Sequence, residues 1–346
     1  MTVGKKSVHR VFAMIVAGLC LSALAHGAFA QELPKVKFSL DWLLQGPTAP
    51  YLLAQSRGYF KQEGLDVEID AGNGSTGFIL RVGGGAYDLA IGDLTAFIEN
   101  LATNPGPSRM KAVFVIYNQA PNVIFTLKRT GIEKPADLAG KRIAGASFSS
   151  TRKLWPLFAR ATHIDPQSVT WVSVDPQLRE PMLIRGQVDA VAGFTTDRPT
   201  YTTLGVAPQV VALNYADYGV RLYGNAIFAS TRMIEQQPKL VAAFLRAVVR
   251  GFQAALADPA AAIDALKQRD PLTNAALERE RFDDTRALVV TGETKKYGLG
   301  AAQRDRLETQ IADTVYAFHL AAQPDVAQVF TPSFLPPLAD RLPPGP

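Results

Sequence analysis

The stretch F-S-L-D-W-L-L-Q-G-P-T-A-P-Y-L-L-A-Q-S-R-G-Y-F-K-Q-E-G-L-D-V-E-I, Phe38 to Ile69, decides the fold. Apolar and polar residues alternate from Val36 to Leu40, the pattern of a strand with one buried face. Gln45-Gly46-Pro47-Thr48 follows as a turn. An apolar-faced helix is expected from about Ala49 to Phe60, and a second strand from Leu65 to Ile69. Strand, helix and strand in that order make a right-handed crossover between parallel strands. Open α/β sheets gather ligands beyond the carboxyl ends of their strands. Asp41 and Trp42 stand at that end of the first strand. An acid beside the largest aromatic residue suits a flat, hydrogen-bonding ligand; a solvated acid and a core Trp are the alternative.

Upstream, Lys5, Lys6 and Arg10 make a basic start, Val11 to Leu24 an apolar run, and Ala28-Phe29-Ala30 a small-x-small site. A signal peptide cleaved after Ala30 is expected, and with it an exported, soluble protein. The apolar run is short for a membrane span, which needs about 20 residues. Cys20 is the one cysteine, and Leu19 before it argues against a lipid anchor. It leaves with the signal, so neither a disulfide nor a thiolate metal site is expected. The whole chain has 36 Lys+Arg against 31 Asp+Glu, and three of the basic residues leave as well. The mature protein is then nearly neutral, with no dense basic stripe for nucleic acid. Its length suffices for two α/β lobes.

Downstream, Gly85-Ala86-Tyr87-Asp88-Leu89-Ala90-Ile91-Gly92 reads as a short buried strand led by Asp88, with Asp93 and Thr95 opening a helix as caps or as ligand contacts. Met110 to Tyr117 and Asn122 to Lys128 are strand-like, and a first passage between lobes is expected near Tyr117 to Val123. The strand Ile143 to Gly145 runs into Ser147, Phe148, Ser149, Ser150 and Thr151, just before a helix from Lys153 to Ala161. Free backbone N–H groups at a helix start, with hydroxyls beside them, make an anion site or a plain N-cap.

After a strand at Val169 to Val174 and a helix at Pro176 to Arg185, Gly186-Gln187-Val188-Asp189-Ala190-Val191-Ala192-Gly193 repeats the G-x-x-D-x-x-x-G that begins at Gly85. The order of elements around the two copies also repeats, which implies two similar lobes. The closing glycines let backbone approach whatever fills a cleft. Asp93 to Thr95 and Phe194-Thr195-Thr196-Asp197 are then expected to converge from opposite sides. Further strands are expected at Val210 to Leu213 and Leu222 to Ala229, with a second passage near Tyr223 to Ile227. The rest is helical: about Pro238 to Leu256, Pro259 to Arg269, Asn274 to Val290 and Ala301 to Phe318. Val289 to Gly298 reads as a turn without a role, and Pro324 to Pro346 as a short helix and a loose end.

No catalytic constellation is present. The mature chain keeps two histidines, His163 at a helix end and His319 within a long helix. H-E-x-x-H, G-x-S-x-G and the phosphate-binding G-x-x-x-x-G-K-[ST] are absent. A protein that binds and releases is expected, with no catalytic residue, no metal and no cofactor.

The phrases D-W at 41–42, R-G-Y-F-K-Q-E-G-L-D-V-E-I at 57–69 and G-x-x-D-x-x-x-G at 85–92 resemble the type II periplasmic binding proteins of ABC importers. So do P-A-D-L-A-G-K-R-I-A-G at 135–145 and G-Q-V-D-A at 186–190. The likeness is to the branch serving alkanesulfonates, taurine, nitrate and the pyrimidine precursor of thiamine. It implies a two-lobed α/β fold with two crossing segments: lobe 1 from residues 31–120 and 226–346, lobe 2 from 121–225. It also implies a small-molecule solute, an ABC permease in the inner membrane as partner, no nucleic acid, and a monomer whose cleft opens and closes.

Asp41, Trp42, Asp93, Ser147, Ser149, Ser150, Thr151, Phe194, Thr195, Asp197 and Tyr223 are the expected ligand residues. Trp42, Phe194 or Tyr223 would stack on a ring, and Asp41 or Asp197 would accept amino hydrogens. Those acids favour an N-heterocyclic, thiamine-pyrimidine-like or other amino-bearing solute. Ser147 to Thr151 would serve a sulfonate, taurine or nitrate instead. Two further alternatives are a pyrimidine-synthase-like enzyme, whose branch carries a cysteine-rich metal run absent here, and a sensor subunit of a receptor.

Overall fold

In the computed structural model, residues 32–72, 74, 76–147 and 149–345 are described. The expected signal segment lies outside them. Strand β1 (Lys35–Ser39) turns Val36 and Phe38 inward and its lysines outward. It pairs in parallel with β2 (Asp66–Asp70), Lys35 opposite Asp66 and Ser39 opposite Asp70. The single helix expected between them is two, Ala49–Ser56 and Tyr59–Gln62. The break falls at Arg57 and Gly58, where the Gly58 φ of 70° cannot continue a right-handed helix.

β3 (Leu89–Asp93) and β4 (Met110–Val115) complete this half. The chain then crosses to a second sheet through β5 (Asn122–Leu127), followed by β6 (Arg142–Gly145), β7 (Thr170–Ser173), β8 (Ala190–Phe194) and β9 (Val210–Asn214). It returns through β10 (Asn225–Ser230). The two five-stranded sheets are ordered β2-β1-β3-β10-β4 and β7-β6-β8-β5-β9. In each, the strand arriving from the other lobe, β10 or β5, is antiparallel to its neighbours. The repeated element order of the sequence is thus a repeated topology. The chain has the two-lobed α/β architecture, with two crossings.

The crossings lie side by side. Ile116 and Tyr117 donate backbone N–H bonds to the Asn225 carbonyl at 2.8 and 3.1 Å, and Gly224 N donates to the Tyr117 carbonyl at 2.9 Å. Bending there can rotate one lobe against the other without breaking either sheet.

The helix Pro238–Ala257 packs an apolar face on the first lobe, placing Phe244 5.0 Å from Phe38. In the second lobe Phe158 stacks on Tyr215 at 4.2 Å. Three expectations about the C-terminal part are corrected. Residues 289–298 contain the helix Gly292–Tyr297, and its Glu293 is tied to both crossings. The tail is not loose: Phe330 bridges to Ala112, and Gln253 donates to the Asp340 carbonyl at 3.0 Å. His319 follows the helix Arg304–Ala317 with φ 50°, and His163 ends its own helix with φ 56°. Both histidines are helix terminators.

Candidate functional site

A cavity of about 300 Å³ lies between the two sheets, lined from both lobes. Lobe 1 brings Asp41 and Trp42 beyond β1, Tyr117 from the first crossing and Asn225 from the start of β10. Lobe 2 brings Ser149 and Ser150 from the start of the helix Ser150–Lys153, Arg179 and Glu180 from the helix Arg179–Ile184, Phe194 from the end of β8 and Asp197 from just beyond it. These places follow from the sheets, because parallel strands of both lobes end at the cleft. The Asp41–Trp42 segment is pinned there by Gly74 N and Gly72 N, which donate to the carbonyls of Asp41 and Trp42 at 2.8 Å each.

Asn225 Nδ2 donates to Asp41 Oδ2 at 2.7 Å. Burial pushes the Asp41 carboxyl up to about 6, with that hydrogen bond and nearby backbone N–H groups opposing the shift. The folded protein therefore holds this proton more tightly than the unfolded chain. The stability linked to Asp41 is fully present below its ordinary value of 3.8 and falls as pH rises towards about 6.

On the opposite wall Arg179 is held from several sides. Its Nη1 donates to the Ala192 carbonyl at 2.6 Å, Nε to the Pro176 carbonyl at 2.9 Å and Nη2 to Asp197 Oδ2 at 3.2 Å. Glu180 Oε1 stands 3.4 Å from the same guanidinium. Burial raises the Glu180 carboxyl despite that neighbour. Asp197 Oδ2 also accepts from Phe194 N at 2.9 Å, so this acid is partly neutralised before any ligand arrives. Gly193 makes room for the pair: a Cβ there would lie 2.8 Å from Asp197 Oδ2 and 3.3 Å from Arg179 Nη1.

Its counterpart Gly92 does something else. A Cβ there would meet the Phe78 ring at 2.1 Å, so that glycine admits a core side chain, not a ligand. The expected convergence of the two post-glycine segments is correspondingly one-sided. Asp93 caps the helix Leu94–Thr103, accepting from Ala96 N at 2.8 Å, and lines a separate void of about 10 Å³ with Lys153. Asp93→Ala is expected to lose about 1 kcal/mol of stability with the cap. Burial also raises the Asp93 carboxyl to about 6, so Asp93→Asn should melt at or above the wild type in thermal denaturation at neutral pH.

Six of the eleven expected residues therefore line the cavity: Asp41, Trp42, Ser149, Ser150, Phe194 and Asp197. Asp93 and four others do not. Ser147 is exposed outside it. Thr151 is fully buried beneath it, bonded to the Gly193 carbonyl and to Asn122 at 2.9 Å each. Thr195 has a buried hydroxyl with no partner among the described residues. Tyr223 turns away to the crossings. Its hydroxyl bonds to Glu293 and accepts from Gln303 N, and the Arg306 guanidinium lies 4.0 Å over its ring.

Sequence reasoning missed Tyr117, Arg179, Glu180, Asn225 and Arg281, all of which line the cavity. Asn225 had a signal, a polar residue heading an apolar run. Arg179 and Glu180 had none, because adjacent opposite charges at a helix start read as a solvated face. Arg281, on the helix Ala275–Val289, donates to Glu278 Oε1 at 2.6 Å and reaches Thr200 of lobe 2 at 3.1 Å.

The profile of the family described as NMT1/THI5 like matches residues 46–262. A riboflavin-binding protein of Chloroflexus aurantiacus is 26% identical over 88% of this chain and 87% of its own length. A formylaminopyrimidine-binding protein of Halalkalibacterium halodurans is 23% identical over 92% and 96%. A 4-amino-5-hydroxymethyl-2-methylpyrimidine phosphate synthase of Aspergillus parasiticus is 25% identical over 72% and 75%. Among solved structures, the periplasmic aliphatic sulphonate binding protein SsuA of Escherichia coli has a TM-score of 0.66 at 16% identity. It covers 85% of this chain and 91% of that one. The fold is thus that of the periplasmic binding proteins.

Proposed function

The chain belongs to the NMT1/THI5 like family, and from that premise we propose that it is the periplasmic solute-binding subunit of an ABC import system, not an enzyme. It closes two lobes, 31–120 with 226–346 and 121–225, around an N-heterocyclic or other amino-bearing small molecule. The observation that carries this reading is the cavity, to which each lobe brings an aromatic ring and a carboxylate: Trp42 with Asp41, and Phe194 with Glu180. A solute touching both walls favours the closed form over the open one, and that difference is the signal a membrane permease reads. The binding-protein names of two relatives support the reading. Neither His163 nor His319 lines the cavity, which speaks against the histidine-consuming synthase alternative.

Among the described residues, ion pairs and hydrogen bonds join the lobes around the cleft. Lys153 pairs with Glu99 at 2.7 Å, Arg160 with Asp313 at 2.8 Å and Arg198 with Asp284 at 2.7 Å. Part-exposed pairs of this kind contribute about 0–1 kcal/mol each. Closure is then readily reversed, as a carrier that must release its solute requires.

The test is a thermal-shift screen of the mature protein against aminopyrimidines, thiamine precursors, riboflavin, taurine, alkanesulfonates and nitrate. A solute at a hundredfold excess over its Kd stabilises the folded state by about 2.7 kcal/mol. Trp42→Ala should remove a buried aromatic contact and cost about 2 kcal/mol of binding, roughly thirtyfold in Kd, with the fold intact. Normal binding by that variant would put the stacking surface elsewhere.

A further inference from the structure

The cavity has its charged donors engaged, and more carboxylates than those donors serve. Arg281 is matched by Glu278 behind the wall, and Glu278 also accepts from Gly46 N at 2.6 Å. Arg179 is bonded to two carbonyls and to Asp197. Among the described residues no other Lys or Arg lines the cavity. Against these stand three lining carboxylates, Asp41, Glu180 and Asp197, of which Arg179 serves two. Asp41 has Asn225 as its one side-chain partner among the described residues. Independently of these acids, Asn225 is 1% exposed, lines the cavity, and its Oδ1 has no hydrogen-bond partner among the described residues. A buried acceptor left without a donor is destabilising, and a donor on a ligand would recover that loss.

We propose that the site selects a cation: a solute with a positive charge and several N–H donors, held between Asp41 with Asn225 on one wall and Glu180 on the other. This inference rests on the solute-binding reading and narrows it. A sulfonate or nitrate would meet three carboxylates and no unengaged guanidinium, so anions are excluded by repulsion as well as by want of donors. A neutral ring satisfies the acceptors but leaves the excess negative charge buried. A cation does both. Asp41 and Glu180 are then residues kept for binding at the expense of the empty protein's stability.

The experiment measures melting temperatures at neutral pH for the wild type, Asp41→Asn, Glu180→Gln and the double variant. Each is measured alone and with millimolar probes: thiamine and histamine as cations, riboflavin and uracil as neutral rings, and methanesulfonate, taurine and nitrate. Without probe, both single variants are expected to melt above the wild type, because each removes a buried charge. With probe, a cation should raise the wild-type melting temperature, bind each single variant about tenfold more weakly, and leave the double variant unchanged. Binding of only neutral or anionic probes overturns the cation inference and leaves the solute-binding reading standing. So does either single variant melting below the wild type, since the acid would then be a structural partner. No shift with any probe of any charge takes down the solute-binding reading, and the inference with it.

Discussion

Arg179→Ala is expected to lower the unfolding free energy by about 3–5 kcal/mol, the usual consequence of leaving a buried charge without its partner. The side chain is 14% exposed, and its removal strands Asp197 and Glu180 on one wall of the cavity. It also frees the carbonyls of Pro176 and Ala192, so the helix Arg179–Ile184 loses its tie to β8. Arg179→Lys keeps the charge but not the planar fork, and should fall between the two. Urea unfolding followed by circular dichroism gives the comparison. The deficit should shrink as the pH is lowered, because the stranded Glu180 carboxyl, already raised by burial, takes up a proton and the repulsion vanishes. A loss below about 1 kcal/mol, flat with pH, would mean that water reaches the pair and screens it.

Glu293→Ala is the second large effect, expected at about 3 kcal/mol. Glu293 accepts from Asn118 Nδ2 at 3.0 Å in the first crossing, from the Tyr223 hydroxyl at the second, and from Arg306 Nη1 at 2.9 Å. Arg306 Nη2 in turn donates to the Asn118 carbonyl at 2.5 Å. One carboxylate thus ties both crossings to the C-terminal helices. Its loss should act on closure as well as on stability, because the pivot is no longer held. Small-angle scattering of the solute-free protein should show a larger radius of gyration, with Glu293→Gln intermediate. A variant as stable as the wild type, with unchanged scattering, would show that backbone bonds between the crossings suffice.

Both results depend on residues to which local reasoning assigned no role or the wrong one. Tyr223 reads from sequence as one more aromatic near a crossing, fit to stack on a ring. In the structure its hydroxyl faces Glu293, 70 residues away in the chain. Asp197 reads as a free acid after a glycine, yet Arg179, 18 residues earlier, occupies it. Nothing within a few residues of Glu293 separates it from a solvated charge in an exposed turn. Asp41 and Trp42 were legible because the end of a first parallel strand is a special place in any such fold. Ser149, Ser150 and Phe194 were legible for the same reason.

The sequence alone determined the approximate place of the strands of both sheets, the crossover at Phe38 to Ile69, the duplication of the lobes, and the strand ends where a cavity would form. These depend on residues two to four apart and on turn chemistry, which neighbours in the chain control. Only the tertiary structure decided which charges cancel. Arg179 against Asp197 and Glu180, Arg281 against Glu278, and Asn225 against Asp41 are pairings set by how elements pack, because Coulomb energy and desolvation depend on distance in space and on burial. The fold was legible in the chain; the electrostatic character of the cavity arose only when the two lobes faced each other.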